Sequence, residues 1–228
     1  MGIYFLTFGI REQKINEIGV ILSKSMANSA KEVLIIFTRY PEPGKTKTRL
    51  IPALGKEGAA QLQKQLTEYT LKEASQLTVN LRVYFSGGNQ DLMIRWLGNN
   101  YHYYSQSGGD LGERLISALQ ETFNQKVEKV VIIGIDCPEL NAELMGQAFQ
   151  ELSEKDLVLG KAEDGGYYLI GLRSFLPELF QGIDWGTDVV LQQTVAIAQR
   201  MGLKISYLPM LNDIDTPDDL ETVTFPWE

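Results

Sequence analysis

The sequence predicts an α/β domain built on a mostly parallel central sheet with helices on both faces. Three observations predict it. Val33-Leu34-Ile35-Ile36-Phe37 and Val130-Val131-Ile132-Ile133 are short apolar runs rich in β-branched residues, the composition of strands buried on both faces. Segments of strand and helix character alternate along the chain, which is the pattern of a parallel sheet with crossover helices. Each of the two apolar runs also ends abruptly, the first in a loop rich in Pro, Gly and basic residues, the second at Asp136-Cys137-Pro138. Ligands of open α/β sheets bind beyond the carboxyl ends of the strands, so these two loops are where chemistry is expected.

The remaining elements follow in order. Ala59, Leu62, Leu66 and Tyr69 recur at helical spacing and predict a helix over 55–77. Val79, Leu81, Val83 and Phe85 alternate and predict a strand closed by Gly87-Gly88. A short helix over 91–97 and a strand over 102–105 come next. Asp110 is a good N-cap, and Glu113 completes a capping box for a helix whose buried stripe is Leu111, Leu115, Ala118 and Thr122. After the central strand, a helix is expected over 141–152 and a strand over 156–160. Asp164-Gly165-Gly166 marks a hairpin or sharp reversal. Thr187 or Asp188 is expected to cap a helix reaching about Met201. A last strand covers 203–208. Thr216 is then expected to cap a final helical turn, with Pro217 inside it and Asp218 and Asp219 complementing its dipole. With no internal repeat and no linker, residues 29–228 read as a single domain. Residues 1–28 read as an N-terminal extension of unknown role. Its apolar stretch from Gly2 to Ile10 lacks the preceding basic segment of a signal peptide.

Composition narrows the function. The chain has 228 residues, 44% apolar and 22% charged, the balance of a soluble globular protein. No apolar run approaches the roughly 20 residues of a membrane helix. Cys137 is the single cysteine and His102 the single histidine. An intramolecular disulfide is thereby excluded, a Cys–His zinc site is disfavoured, and a cytoplasmic location is expected. His102 lies within Tyr101-His102-Tyr103-Tyr104, a strand-like setting that suits no serine–histidine triad. The net charge of −8 argues against nucleic acid as a partner. Yet Arg39, Lys45, Lys47 and Arg49 crowd one loop against Glu42 alone. An acidic protein with one compact basic loop suits a small phosphate-bearing anion.

The loops supply the candidate residues. Gly44-Lys45-Thr46 has the look of a P-loop, but Arg39 stands where that motif needs a further Gly, and Pro52 interrupts the helix that should follow. The P-loop is rejected. The loop keeps its cations and a Gly turn that exposes backbone N–H groups, which together suit an oligophosphate. Gly108-Gly109 and Arg114 flank a helix start whose capping box does not require them, and they suit a backbone approaching a flat base. Glu163, Asp164, Gly165 and Gly166 offer carboxylates and a turn to sugar hydroxyls, and Trp185 could stack on a sugar ring or close the core. Asp213 and Asp215 precede the Thr216 cap and are not needed by it. The acids after Leu211 have no base among them, an unfavourable concentration of like charge unless a cation binds.

Five ordered motifs then resemble a known group. They are Arg39-Tyr-Pro-Glu-Pro-Gly44-Lys-Thr-Lys47-Thr48-Arg49-Leu50, Gly109-Asp110-Leu111-Gly112-Glu113-Arg114, Gly134-Ile-Asp136-Cys137-Pro138, Ala162-Glu163-Asp164-Gly165-Gly166-Tyr167-Tyr168 and Asp213-Ile-Asp215-Thr216-Pro217. Together they are similar to the bacterial DUF2064 family, often labelled glycosyltransferases and linked with arsenosugar biosynthesis gene clusters. The resemblance spans about residues 30–225. That family resembles the nucleotide-diphospho-sugar transferases, with their Rossmann-like GT-A fold, a superfamily that includes the molybdenum-cofactor nucleotidyltransferases. The resemblance implies that Asp136 and Asp215 hold a divalent cation, Mg²⁺ or Mn²⁺. It implies that Thr48-Arg49-Leu50 belongs to a phosphate loop. Two departures are visible: Lys45 to Lys47 replace the Gly-x-Gly usual before Thr-Arg in nucleotidyltransferases, and Gly134 replaces the first Asp of the glycosyltransferase Asp-x-Asp.

The leading expectation is a metal-dependent transferase that uses a nucleotide-linked sugar and a small-molecule acceptor. Lys45, Lys47 and Arg49 would neutralise phosphate charge, and Asp164 or Asp188 would serve as general base. Gly44, Thr48, Gly109, Asp110, Gly112, Arg114, Glu163, Gly165, Gly166 and Trp185 would bind nucleotide or substrate. The first alternative keeps the site but joins an NTP to a sugar phosphate or similar phosphate, releasing pyrophosphate. The second is a non-catalytic nucleotide-binding module. The sequence is compatible with a homo-oligomer.

Overall fold

The computed structural model describes residues 31–222 and residue 225. The proposed extension 1–28 lies outside them. The core is one seven-stranded sheet in the order β3-β2-β1-β4-β6-β5-β7. Its strands are β1 (Glu32–Arg39), β2 (Asn80–Ser86), β3 (His102–Ser105), β4 (Lys129–Ile133), β5 (Leu157–Ala162), β6 (Tyr167–Leu172) and β7 (Ile205–Leu211). The helices are α1 (Ile51–Ala74), α2 (Gln90–Leu97), α3 (Leu111–Phe123), α4 (Ala142–Glu151), α5 (Val190–Arg200) and the short α6 (Asp219–Thr222), with 3-10 turns at Thr48–Leu50 and Pro177–Phe180. Among the described residues no helix is long and apolar enough to cross a membrane.

The sheet is mostly parallel, as expected. Strand β1 pairs in parallel with both β2 and β4, so the chain winds outward through β2 and β3 and then returns to the other side of β1. That return makes a topological switch point between β1 and β4, where a crevice opens beyond the strand ends. The exception is β6, which runs antiparallel between β4 and β5. The expected reversal at Asp164-Gly165-Gly166 is thus the turn of the β5–β6 hairpin. Its antiparallel strand carries the Tyr167-Tyr168 pair toward the carboxyl end of β4, and Tyr168 O accepts Gly134 N–H at 3.2 Å.

Both faces of β1 are buried, and its alternation feeds two separate cores. Leu34 and Ile36 face α1, α2 and α4, with Leu66, Met93 and Met145. Val33 and Ile35 face α3 and α5, with Leu115, Leu119 and Ala198. The carboxyl end of β1 is then fixed by polar contacts rather than apolar ones. Thr38 Oγ1 lies 2.8 Å from Thr67 Oγ1, and Gln63 Nε2 donates to Thr38 Oγ1 and to Arg39 O, each at 3.2 Å.

Several local expectations need correction. Helix α1 begins at Ile51 and is broken at Gly55 (φ 71°, ψ 172°), because Gly adopts a left-handed φ without steric cost. Neither Thr187 nor Asp188 caps α5. The residue before that helix is Val189, which makes no side-chain cap, and Leu191 N–H is satisfied by Gly165 O at 2.9 Å instead. Thr216 does not accept as a cap; Asp219 Oδ2 accepts from Asp215 N, Thr216 N and Thr216 Oγ1 at 2.9, 2.6 and 2.9 Å. The capping box at Asp110 and Glu113 is present as expected. Leu111 departs from the predicted buried stripe: it is 43% exposed and stands at the mouth of a cavity.

Leu66 is fully buried between α1 and the sheet. Leu66→Ala is expected to lower unfolding stability by about 2–5 kcal/mol through lost transfer energy and the cavity left behind, measured by denaturant titration.

Candidate active site

A cavity of about 600 Å³ opens at the switch point. Its walls come from the ends of β1 and β4, the basic loop, the start of α3, the β5–β6 turn and the segment after β7. The two loops singled out by sequence therefore share one site, although they are far apart along the chain.

Lys47 lies at its centre. Its side chain is only 5% exposed, and Nζ lies 2.6 Å from Asp136 Oδ1 and 3.6 Å from Asp215 Oδ1. It also donates to Ile214 O at 2.5 Å. Arg49 Nη1 approaches Asp215 Oδ2 at 3.9 Å from a largely exposed position. The backbone aims Lys47 inward: the residue is left-handed (φ 42°, ψ 49°) at the start of the 3-10 turn, a rare conformation for a non-Gly residue. Thr46 is buried beneath the loop with its hydroxyl on Glu42 O, and Arg39 Nη1 braces the loop through Lys45 O at 2.9 Å.

The opposite wall is set by a backbone pairing. Ile214 N–H donates to Asp136 O at 2.9 Å, and the Ile214 side chain is fully buried. Residues on either side of Ile214 then turn outward together, so Asp213 and Asp215 both line the cavity. Cys137 Sγ donates to Asp213 Oδ1 at 2.8 Å. Burial, then the Asp213 carboxylate, pushes the Cys137 thiol far above its usual range, so it stays protonated as the donor. Burial is also the main force on Asp213, with Asp164, Asp136 and Asp215 adding to it against the thiol bond; its pKa is raised to about 7. Asp215 is raised as well, by burial first and then by Asp136, with Lys47 and Arg49 opposing. For Lys47, burial works against the ammonium, but Asp136 and Asp215 outweigh it and hold it above the ordinary lysine range.

The structure brings together Lys45, Lys47, Thr48, Arg49, Asp136, Asp164 and Asp215 around the cavity. It places other expected site residues elsewhere. Asp188 lines a separate cavity with Lys161, Leu191 and Tyr207. Glu163 takes both hydrogens of the Asn212 amide, oriented to satisfy its surroundings, at 2.6 and 3.1 Å. Asp110 caps α3, and Arg114 Nε donates to Gly109 O at 3.1 Å. Gly109 makes room for the capping carboxylate of Glu113, and Gly165 (φ 88°) lets the turn pass against the Asp188 backbone. Gly44 (φ 79°) turns the basic loop over Lys56, while Gly166 N–H binds Asp164 Oδ1 at 2.8 Å. Gly112 packs against Trp185: a Cβ there would sit 2.6 Å from Trp185 Nε1. Trp185 meets Tyr167 edge to face, with ring centroids 6.4 Å apart.

Sequence reasoning passed over several cavity residues. Asp213 was legible as an acid the Thr216 cap did not need. Gln63, Ser86 and Gln106 carried no signal, since a polar residue near a strand end is ordinary. Gln106 Nε2 donates to Thr38 O and Tyr84 O at 3.1 and 3.0 Å, which ties the β1 and β2 ends together beside the cavity.

Asp136 and Asp215 reach one point, now held by an ammonium, and both are oxygen donors. That donor set fits a small hard cation such as Mg²⁺ or Mn²⁺. Among the described residues no group of three or more Asp, Glu, His or Cys converges as metal ligands.

Two outcomes follow from this geometry. Gly112→Ala is expected to cost about 1–3 kcal/mol by displacing Trp185, read as a lower melting temperature with altered Trp fluorescence. Asp213 binds its proton more tightly folded than unfolded, so it lowers stability progressively as pH rises from about 4 to about 7. Asp213→Asn is expected to flatten the stability profile across that window and to gain most above it, measured by urea titration at several pH values.

A family described as an uncharacterized protein conserved in bacteria (DUF2064) matches residues 70–187. A search of curated proteins gives no match. A solved protein from Desulfovibrio desulfuricans G20, assigned provisionally to the nucleotide-diphospho-sugar transferases, is 39% identical, with a TM-score of 0.81 over 84% of this chain and 85% of that one. The inositol-1-phosphate CTP transferase from T. maritima shares the fold at 16% identity, with a TM-score of 0.55 over 84% of this chain and 91% of that one. The 4-diphosphocytidyl-2C-methyl-D-erythritol synthase of Anaerococcus prevotii DSM 20548 shares it at 13% identity, with a TM-score of 0.57 over 86% and 96%. With the family match spanning more than half of its length and the Desulfovibrio protein aligned over 84% of it, the chain belongs to the DUF2064 family and is an enzyme of the nucleotide-diphospho-sugar transferase kind.

Proposed function

We propose that the chain transfers a nucleotidyl group from an NTP to a small phosphate-bearing acceptor, with Asp136 and Asp215 holding Mg²⁺ or Mn²⁺. The observation that carries this reading is the meeting of Lys45, Lys47, Thr48 and Arg49 with Asp136 and Asp215 in one cavity. So many cations facing a carboxylate pair suit a triphosphate better than the diphosphate of a sugar donor. The strand end agrees: Gly134 lines the cavity where a glycosyltransferase would place its first Asp. In the reaction, an acceptor phosphate oxygen attacks the α-phosphorus, the new P–O bond forms, and the bond to pyrophosphate breaks with its electron pair leaving on pyrophosphate. Lys47 neutralises the charge growing on the α-phosphoryl oxygens, and Lys45 and Arg49 hold the departing pyrophosphate. The bound ion would supply further charge neutralisation at the phosphates. Asp164 sits at the cavity wall, where it can position the acceptor.

Glycosyl transfer from a nucleotide-linked sugar is the second reading, favoured by the class assigned to the Desulfovibrio relative. The two are separated by incubating the protein with each NTP and a panel of sugar phosphates. Pyrophosphate release with one pair is expected, and Asp136→Ala is expected to lower it at least about 10²-fold. Release of a nucleoside diphosphate from a nucleotide-sugar, with no pyrophosphate from any NTP, would overturn the nucleotidyl reading in favour of the glycosyl one.

A further inference from the structure

The aspartate pair already holds a cation that belongs to the chain. Lys47 Nζ lies 2.6 Å from Asp136 Oδ1, 3.6 Å from Asp215 Oδ1 and 2.5 Å from Ile214 O. A divalent ion needs its oxygens at about 2.0–2.6 Å, so an ion shared by Asp136 Oδ1 and Asp215 Oδ1 would occupy the space that the ammonium fills. Two cations cannot share it. We propose that Lys47 is the resident cation of the pair and competes directly with the metal, so that the ion enters together with the phosphate-bearing substrate rather than before it. The inference rests on the proposed reading in taking Asp136 and Asp215 as the metal-holding pair.

The loop is built for this exchange. Its backbone is fixed: Leu50 N–H donates to Lys47 O at 2.9 Å, and Arg39 braces Lys45 O. What can move is the Lys47 stem, whose four methylenes rotate freely once Nζ lets go. Thr48 and Arg49, its neighbours on the loop, line the same cavity, so a phosphate bound there offers Nζ an alternative anion within reach of side-chain rotation. By linkage, whatever phosphate does for the metal, the metal does for phosphate. Arg49 makes a useful contrast. It carries the same charge near Asp215, but from 3.9 Å and with a side chain 70% exposed, so it adds to the local potential without occupying the site.

The test is a Mn²⁺ titration of the full chain without nucleotide, followed by the electron paramagnetic resonance of free Mn²⁺. Wild type is compared with Lys47→Met, Arg49→Met and the double variant Lys47→Met/Asp136→Asn, each checked for a cooperative melt. Lys47→Asn, which tolerates a left-handed backbone, stands in if Lys47→Met does not fold. The expected result is Mn²⁺ binding at least about tenfold tighter in Lys47→Met than in wild type, a much smaller gain in Arg49→Met, and loss of the gain in the double variant. Equal affinity in wild type and Lys47→Met overturns the competition while leaving the metal pair in place. An equal gain in Arg49→Met overturns it too, since bulk charge then explains the effect. Mn²⁺ binding by neither protein overturns it together with the metal assignment, and pyrophosphate release still decides the nucleotidyl reading on its own.

Discussion

The site depends on one ammonium group. Lys47 Nζ joins the basic loop to Asp136 at the end of β4 and to Ile214 and Asp215 in the segment after β7. Removing an ammonium to a position 5% exposed is costly unless anions meet it. Here the anions are half-exposed carboxylates, which keep part of their hydration while sharing the charge. The arrangement also answers the sequence's concentration of acids near the C-terminal end, because the cation that relieves it comes from a loop more than a hundred residues earlier. The same contact makes the pair ready for exchange, since what holds Lys47 is charge, and charge is what a phosphate also offers.

The cavity's position follows from topology. The chain leaves β1 on one side and returns as β4 on the other, which opens a crevice beyond their carboxyl ends. The antiparallel β6 then performs a separate task. By starting at the carboxyl end of β4 and running away from it, it sets Tyr167 and Tyr168 at the cavity wall, and Tyr168 OH donates to Pro209 O at 2.9 Å. The hairpin thus ties the segment carrying Asp213 and Asp215 to the central strand. A purely parallel arrangement would have placed the start of β6 at the opposite edge of the sheet.

Glycines and charged residues show how far local reading carries. Gly112 and Gly165 were expected to bind nucleotide or substrate, and in the structure they let other parts of the chain approach, Trp185 in one case and the Asp188 backbone in the other. The signal was real, since both positions exclude a Cβ, but sequence cannot say whether the close neighbour is a ligand or a side chain. Glu163 and Asp164 look equivalent in the sequence. They diverge because successive residues near a strand end point in different directions, so that Asp164 lines the cavity and Glu163 turns to Asn212.

By itself the sequence determined the α/β class, most of the elements and the Asp110–Glu113 capping box, and it singled out the two loops that line the cavity. These are properties of short windows: hydrophobic period, β-branched content, Gly and Pro punctuation, and local charge. The family resemblance likewise rested on ordered local motifs. Only the tertiary structure decided which of those loops meet and what each side chain touches. That Ile214 pairs with Asp136, that Asp213 and Asp215 consequently face the cavity, and that Lys47 reaches between two carboxylates are contacts between segments remote in sequence. Their geometry is fixed by sheet order and by the burial of Ile214, and neither leaves a mark on the spacing of residues along the chain.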